Sequence, residues 1–135
     1  MKGYVGVPFL DGGRDRSGWD CWGTVCTAYR EEAGIELPSY GEISASELLR
    51  ITRQMQAGAI SETWRRVDAE PRRKLDVVLM KNIDEAGSIP IHVGVMRDDR
   101  AVIHVEIATD TVAVPLTHPS ITGRIMGFYR HKDLS

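Results

Sequence analysis

Apolar residues recur at helical spacing in the first part of the chain. A loop rich in Gly, Asp and Arg spans residues 6–20, and a single apolar stripe follows it. The stripe has the i, i+3, i+4, i+7, i+11 spacing of one helix face and consists of Trp22, Val25, Cys26, Tyr29 and Ala33. Gly34 supplies a left-handed stop, and Pro38 prevents the helix from resuming. The pattern predicts a helix that begins near Cys21 and ends before Gly34.

A second helix is predicted to begin at Ser44 and end at Gly58. Ser44 and Glu47 have the spacing of a capping box. The apolar stripe of this segment consists of Leu48, Ile51, Thr52 and Met55. Residues 59–74 have no clear period, and the basic cluster at 72–74 is interpreted as a solvated turn.

After Leu75 the period changes to the alternation of β-strands. Strands are predicted near 76–81, 89–96, 101–108, 111–116 and 124–130, separated by polar or Gly-containing breaks. Helices followed by strands favour an α+β fold in which N-terminal helices pack on an antiparallel sheet. Because no repeat or low-complexity tract interrupts the 135 residues, we expect a single domain over 1–135.

Composition and charge exclude several classes of partner. The net charge of −2 gives no broad electrostatic footprint for nucleic acid or an anionic membrane. The longest apolar run, at 77–80, is far too short to span a membrane, and the first residues lack a signal-peptide stretch. Two cysteines are too few for a disulfide scaffold, and the four histidines have no metal-site spacing. We therefore expect no nucleic-acid partner, no membrane insertion, no signal peptide and neither a metal nor another cofactor.

Cys21 is the first candidate for chemistry, because it lies at the first turn of the predicted helix. Backbone amides and the positive end of the helix dipole favour a thiolate there. Cys21 lies at the edge of the buried face, whereas Cys26 lies within the apolar stripe and is interpreted as a small buried hydrophobe. For Cys21 alone, the structural and the catalytic interpretations both remain open.

His92 and His104 lie on the less apolar face of two successive strands, and Glu106 follows His104 on that face. The two histidines share a sheet face only if paired residue numbers sum to an even number, which needs an odd loop or a bulge at 97–100. A two-residue turn would place them on opposite faces.

Together, the three residues predict acyl-transfer chemistry. Cys21 would attack a carbonyl, His92 would shuttle the proton, and His104 would orient His92. The backbone N–H of Cys21 would serve as an oxyanion donor. The simplest such reaction is amide hydrolysis through a thioester.

Several short motifs, taken in order, resemble the NlpC family of papain-like cysteine peptidases from about residue 6 to 130. They lie at 8–13 (PFLDGG), 18–23 (GWDCWG), 34–38 (GIELP), 75–80 (LDVVLM), 91–95 (IHVGV) and 102–104 (VIH). The resemblance implies a papain-like α+β core, with a Cys21 nucleophile, a His92 base and His104 as the further polar residue. It also implies cleavage of peptidoglycan stem peptides, often between D-glutamate and diaminopimelate, without a metal.

The chain departs from the family pattern at three positions. Trp22 replaces the usual Ser after the nucleophile, Phe9 replaces a Tyr, and Leu75 replaces a Gly. The resemblance implies that Asp20, Trp22 and Phe9 contact the substrate. Trp22 is also open to a packing role. Asp20 either holds a free amine of the stem peptide or caps the helix.

The Trp variant, the compact length and the lack of wall-anchoring repeats resemble phage and prophage members associated with the tail. This implies synthesis in the bacterial cytoplasm, incorporation into a phage tail and tail proteins as partners. The alternatives are a structural tail-assembly module, a peptidase that processes a tail protein, and amidase or transpeptidase chemistry on the same triad. Faster alkylation of Cys21 than of Cys26 would favour an enzyme over a structural module.

The remaining aromatic residues and histidines are assigned to packing or to the surface. Trp19 and Trp64 are expected to pack in the core, whereas His118 and His131 are expected at the surface.

Overall fold

The computed structural model describes residues 1–37, 64–81, 91–106 and 109–134. The helix expected over 44–58 lies outside these residues. The described elements, in chain order, are β1 (Arg14–Asp15), β2 (Gly18–Trp19), α1 (Cys21–Ala33), β3 (Trp64–Arg66), β4 (Val77–Lys81), β5 (Ile91–Met96), β6 (Ala101–His104), β7 (Val112–Pro115), α2 (Pro119–Thr122) and β8 (Ile125–His131).

Six strands form one antiparallel sheet with the order β3-β8-β4-β5-β6-β7. The short pair β1-β2 is separate and lies in the loop before α1. The predicted α+β class with an antiparallel sheet is confirmed, and all five predicted strands are present. Strand β3 was not predicted, because its three residues are too few to show alternation.

Helix α1 has the predicted start and end. Asp20 caps its first turn, and Gly34 adopts the left-handed conformation, with φ of 66°, and donates its N–H to the Arg30 carbonyl. Neither helix in the described part of the chain has the length and apolar character needed to cross a bilayer.

Alternation along the strands gives the sheet two apolar faces. In β4, Val77 and Leu79 pack with the buried residues of α1, whereas Val78 and Met80 pack on the opposite face. The opposite cluster consists of Val67, Val78, Met80, Met96, Val102, Ile121 and Phe128. Helix α1 is therefore held on one face of the sheet, with its N-terminus directed at the strands that carry the candidate histidines.

The segment before β4 makes buried contacts that a solvated turn would not make. Asp76 is fully buried and forms a bidentate ion pair with Arg130, with N···O distances of 2.7 and 2.8 Å. Arg72 stacks 3.8 Å from the centroid of the Phe128 ring and donates to the Val67 carbonyl. The interpretation of the basic cluster as merely solvated is therefore wrong for Arg72.

Three of the expectations for aromatic residues and histidines are confirmed, and one is wrong. His118 is exposed, as expected. Trp19 and Trp64 are buried as expected. His131, expected at the surface, is also buried and packs edge-on against Trp64 and Tyr29, with ring centroids 5.1 and 5.8 Å away. The sequence could not indicate this, because the partners lie on α1 and on the unpredicted β3.

Candidate active site

The hairpin β5–β6 has the register that places both candidate histidines on one face. Val95 pairs with Ile103, so the paired residue numbers sum to 198, an even number. Arg97 donates its N–H to the Ala101 carbonyl, which closes a three-residue loop at 98–100. The side chain of Asp98 accepts the N–H groups of Arg100 and Ala101 and so holds this loop. The condition set by the sequence is met, through an odd loop.

The imidazoles of His92 and His104 are hydrogen-bonded to each other. Nε2 of His92 lies 2.9 Å from Nδ1 of His104, and both residues are buried. Gly94 is on β5 with His92 and faces His104 on β6, so a Cβ at Gly94 would lie 3.2 Å from the His104 Cβ and 2.7 Å from a Val102 methyl. Glycine at this position therefore allows the two strands to bring the rings together. This hydrogen bond uses Nε2 of His92, so Nδ1 of His92 is the ring nitrogen that remains for another partner.

Cys21 is the first residue of α1 and adjoins β5. Backbone hydrogen bonds from Val93 and Trp22 reach its side chain. Val93 directly follows His92, so the sulfur lies beside the strand position of the candidate base. Cys21 is half-buried, whereas Cys26 is buried in the core, as the helical wheel predicts.

The surroundings of Cys21 oppose the thiolate that the helix start favours. Burial raises the pKa of the Cys21 thiol to about 12, and the neighbouring Asp20 carboxylate adds to this effect. The Gly23 N–H at the helix start donates to Asp20 at 2.7 Å. Asp20 therefore takes up the favourable potential of the helix terminus, and its own negative charge opposes ionisation of the sulfur.

Both histidines are held in the neutral form. Burial lowers the pKa of His92 well below its usual value, and the charges of His104 and Arg124 lower it further. Burial also lowers the pKa of His104, while Glu106 raises it. At neutral pH the site therefore contains a thiol and two neutral imidazoles.

Asp20 is committed to the local structure. Besides the Gly23 N–H, its carboxylate accepts the Gly12 N–H at 3.1 Å and an Arg14 N–H at 2.7 Å. It is 5% exposed. The helix-cap interpretation is confirmed, and a substrate amine at this carboxylate would compete with the Arg14 guanidinium.

The other two residues implied as substrate contacts differ in burial. Trp22 is 2% exposed and belongs to the core cluster, which supports the packing alternative. Phe9 is half-buried, forms a bridge with Trp19 and donates its N–H to the Thr109 carbonyl at 3.0 Å. Of the two, Phe9 is the one with a partly exposed side chain.

Glu106 extends the polar cluster of His92 and His104. The sequence indicated this position, because Glu106 alternates with His104 along the predicted strand. Donor atoms of His92, His104 and Glu106 lie within 4.8 Å of one another, a grouping that could hold a metal ion and that residue spacing did not reveal. However, Arg124 forms an ion pair with Glu106, which places a positive charge against an incoming cation. The arrangement is better suited to moving a proton than to holding a metal.

Comparison with known proteins agrees with this architecture. A solved NlpC/P60 family protein from Bacillus cereus ATCC 10987 is 24% identical, with a TM-score of 0.64 over 95% of this chain. A protein of Staphylococcus aureus subsp. aureus Mu50, described as similar to a lipoprotein of the NLP/P60 family, is 20% identical over 94% of this chain, with a TM-score of 0.61. This chain spans only 36% and 37% of those two proteins.

A third solved structure is of more similar size. The NlpC/p60 domain of the peptidoglycan hydrolase SagA is 20% identical and has a TM-score of 0.54, with 93% of this chain and 87% of that domain covered. No curated protein sequence matches the chain. The model of the NlpC/P60 family matches residues 6–130, nearly the whole sequence. The chain belongs to the NlpC/P60 family.

Proposed function

We propose that this protein is a cysteine peptidase that hydrolyses amide bonds in the stem peptides of peptidoglycan. Cys21 is the nucleophile, His92 the base and His104 the group that orients His92. One observation carries the proposal: His92 is bonded to His104 at 2.9 Å, while the backbone of the next residue, Val93, bonds to Cys21. Family membership and the structural likeness to a domain of a peptidoglycan hydrolase support the substrate class.

The mechanism starts from neutral groups. In the tautomer that carries its proton on Nε2, neutral His92 donates a hydrogen bond to Nδ1 of His104, and Nδ1 of His92 has the free lone pair. Cys21 attacks the amide carbon as its proton passes to that nitrogen, and the backbone N–H of Cys21 stabilises the oxyanion. His92 then protonates the leaving amine. A water molecule, deprotonated by His92, hydrolyses the thioester and restores the thiol.

The proposed point of cleavage is the bond between D-glutamate and diaminopimelate. Phe9 is the proposed aromatic contact for the substrate, because it is partly exposed in the loop before α1. Asp20 contributes by holding this loop and by presenting its carboxylate beside the nucleophile. Trp22 contributes through packing beneath Cys21 rather than at the surface.

Product analysis by mass spectrometry tests the proposal. The protein, Cys21→Ala and the matched control Cys26→Ala are incubated with peptidoglycan fragments that carry free and cross-linked stem peptides. The parent and Cys26→Ala are expected to release fragments split after D-glutamate, whereas Cys21→Ala releases none. Fragments from Cys21→Ala at the parental rate would overturn the assignment of the nucleophile, and products of amide exchange would indicate a transpeptidase.

A second candidate is a tail-associated module that assembles into a phage tail or processes a tail protein and has little activity on the cell wall. The observation in its favour is the raised pKa of Cys21 beside a core-packed Trp22. Because Cys21 is a thiol at rest, slow alkylation at neutral pH does not separate this candidate from an active peptidase. Intact, folded protein that leaves every peptidoglycan fragment uncut would favour it.

A further inference from the structure

The ion pair of Glu106 and Arg124 lies against the two histidines and is not part of the proposed triad. We infer that it is a positioning pair, which adds to burial in balancing His92 and His104 as neutral rings at rest and stabilises His92 while it carries the proton from Cys21. The inference rests on the proposed role of His92 as the base. It adds two residues that act through the histidines and do not touch the substrate.

The register of the hairpin places Glu106 next to His92. Paired residues of β5 and β6 have numbers that sum to 198. If the same register is extended past the end of β6, Glu106 lies opposite His92. The contact agrees with this, because Oε1 of Glu106 is 4.0 Å from Nε2 of His92. The carboxylate therefore faces the nitrogen that is bonded to His104, on the side of the ring where positive charge spreads when the base is protonated.

Arg124 is held in place by three partners from different parts of the chain. Its guanidinium pairs with Glu106, its Nε donates to the Lys81 carbonyl at the end of β4 at 2.8 Å, and another N–H donates to the Ser120 carbonyl of α2 at 3.3 Å. The side chains of Arg124 and Glu106 are only 14% and 21% exposed. Such a held and shielded pair acts on its neighbours more strongly than a solvated pair does.

The two charges act on the histidines in opposite directions. Arg124 lowers the pKa of both His92 and His104, whereas Glu106 raises the pKa of His104. In the described part of the chain, these are the charged side chains that act on the two histidines. On the facing helix, Cys21 is influenced in turn by Asp20 and Arg14. Glu106 alone would favour protonation of His104, and Arg124 alone would oppose proton uptake by both rings, so the balance requires both.

Histidine titration by NMR tests the inference without a substrate. In Arg124→Gln, the pKa values of His92 and His104 are expected to rise by about one pH unit, because the cation is lost and Glu106 is uncompensated. In Glu106→Gln, the pKa of His104 is expected to fall. Arg124→Lys keeps the charge and is expected to stay near the parent. The matched control is Arg97→Gln, which removes an arginine from an exposed ion pair on the same hairpin and is expected to change neither histidine.

The acid limb of the kcat/KM profile is expected to move in the same direction as the titration in each variant. Absent shifts, or shifts of the same sign in Arg124→Gln and Glu106→Gln, would overturn the inference. If Arg124→Gln does not fold, Glu106→Gln and Arg124→Lys still decide it. Because the titration needs no turnover, shifted histidines in a protein that cleaves no peptidoglycan would separate failure of the proposed function from failure of this inference.

Discussion

Because the pKa of Cys21 is raised, the reactivity of Cys21 in the proposed mechanism depends on the base His92 rather than on the start of helix α1. The thiol has a pKa of about 12, and His92 has a pKa well below its usual value. An ion pair between them is therefore unfavourable before the substrate binds. In the proposed mechanism, the proton therefore moves only as the carbon–sulfur bond forms, which is general-base catalysis of the kind used by serine hydrolases.

The geometry of the histidines predicts unequal effects of their removal. His92→Ala removes the base and is expected to lower kcat/KM by about 10² to 10⁴-fold. His104→Ala removes only the group that fixes the ring of His92, so the loss is expected to be smaller, and His104→Gln is expected to restore part of it. Steady-state kinetics on a stem peptide measure these values. The reverse ranking would mean that the two roles are exchanged.

Leu75 has a left-handed backbone conformation, which predicts that its glycine variant is more stable than its alanine variant. Its φ is 75°, its side chain is buried, and its carbonyl accepts the Tyr29 hydroxyl at 2.5 Å. Leu75→Ala is expected to cost about 2–5 kcal/mol through lost packing. Leu75→Gly loses the same packing but relieves the strained φ, so it is expected to be about 1 kcal/mol more stable than Leu75→Ala.

Leu79 supplies the matched control for Leu75. It is fully buried in β4, and its φ is not among the positive values. Leu79→Gly is therefore expected to be less stable than Leu79→Ala, the usual order in a strand. Urea unfolding of the four variants gives the comparison. The same order at both positions would contradict the role assigned to the backbone of Leu75.

Single residues were predictable where local sequence decides their environment. The helix-start position of Cys21 and the core position of Cys26 follow from one apolar stripe. The protonation state of Cys21 does not, because burial raises its pKa and because Asp20, which caps the helix, also repels the thiolate. Burial of His131 depends on rings from two distant elements, and no local pattern reports such contacts.

At the level of elements, the strands were predictable, but the register of the hairpin was only conditional. The alternation of apolar and polar residues and the polar breaks between strands located β4 to β8, although β7 has no fully buried residue. The choice between an even and an odd loop depends on whether Asp98 accepts the N–H groups of Arg100 and Ala101. Asp98 and Asp99 are common in both a two-residue and a three-residue turn, so residue type alone does not decide between them.

Gly94 is the position at which the hairpin controls the site. In Gly94→Ala, the new methyl would lie 2.7 Å from a Val102 methyl and 3.1 Å from the Ile103 carbonyl oxygen, so β6 must move. A displacement of His104 by a few tenths of an ångström is expected to lower kcat/KM by about tenfold, with about 1–3 kcal/mol lost in stability. Kinetics combined with urea unfolding measure both effects.

Gly123→Ala is the control for Gly94→Ala, because a Cβ at Gly123 meets nothing within 4 Å. It is expected to leave rate and stability close to the parent. Parental activity in Gly94→Ala would show that the distance between His92 and His104 does not depend on close approach of β5 and β6.

For the whole molecule, three buried histidines link folding to pH. Burial lowers the pKa values of His92, His104 and His131. Below the ordinary histidine pKa of about 6.5, the unfolded chain binds protons that the folded chain does not accept. The free energy of unfolding is therefore fully maintained above that pH and is lost as the pH falls below it.

Urea unfolding between pH 5 and 8 checks this linkage. The free energy of unfolding is expected to be nearly flat above pH 7 and to fall below pH 6.5, by up to about 1.4 kcal/mol per pH unit for each histidine that stays neutral. The carboxylates with lowered pKa values, among them Asp98 and Glu31, lose their contribution only at more acidic pH. His92→Gln replaces the most strongly shifted ring by a neutral amide, so its slope between pH 5 and 6.5 is expected to be shallower than that of the parent. Equal slopes would mean that His92 takes up its proton over the same pH range in the folded and the unfolded chain, which would contradict the lowered pKa of the buried ring.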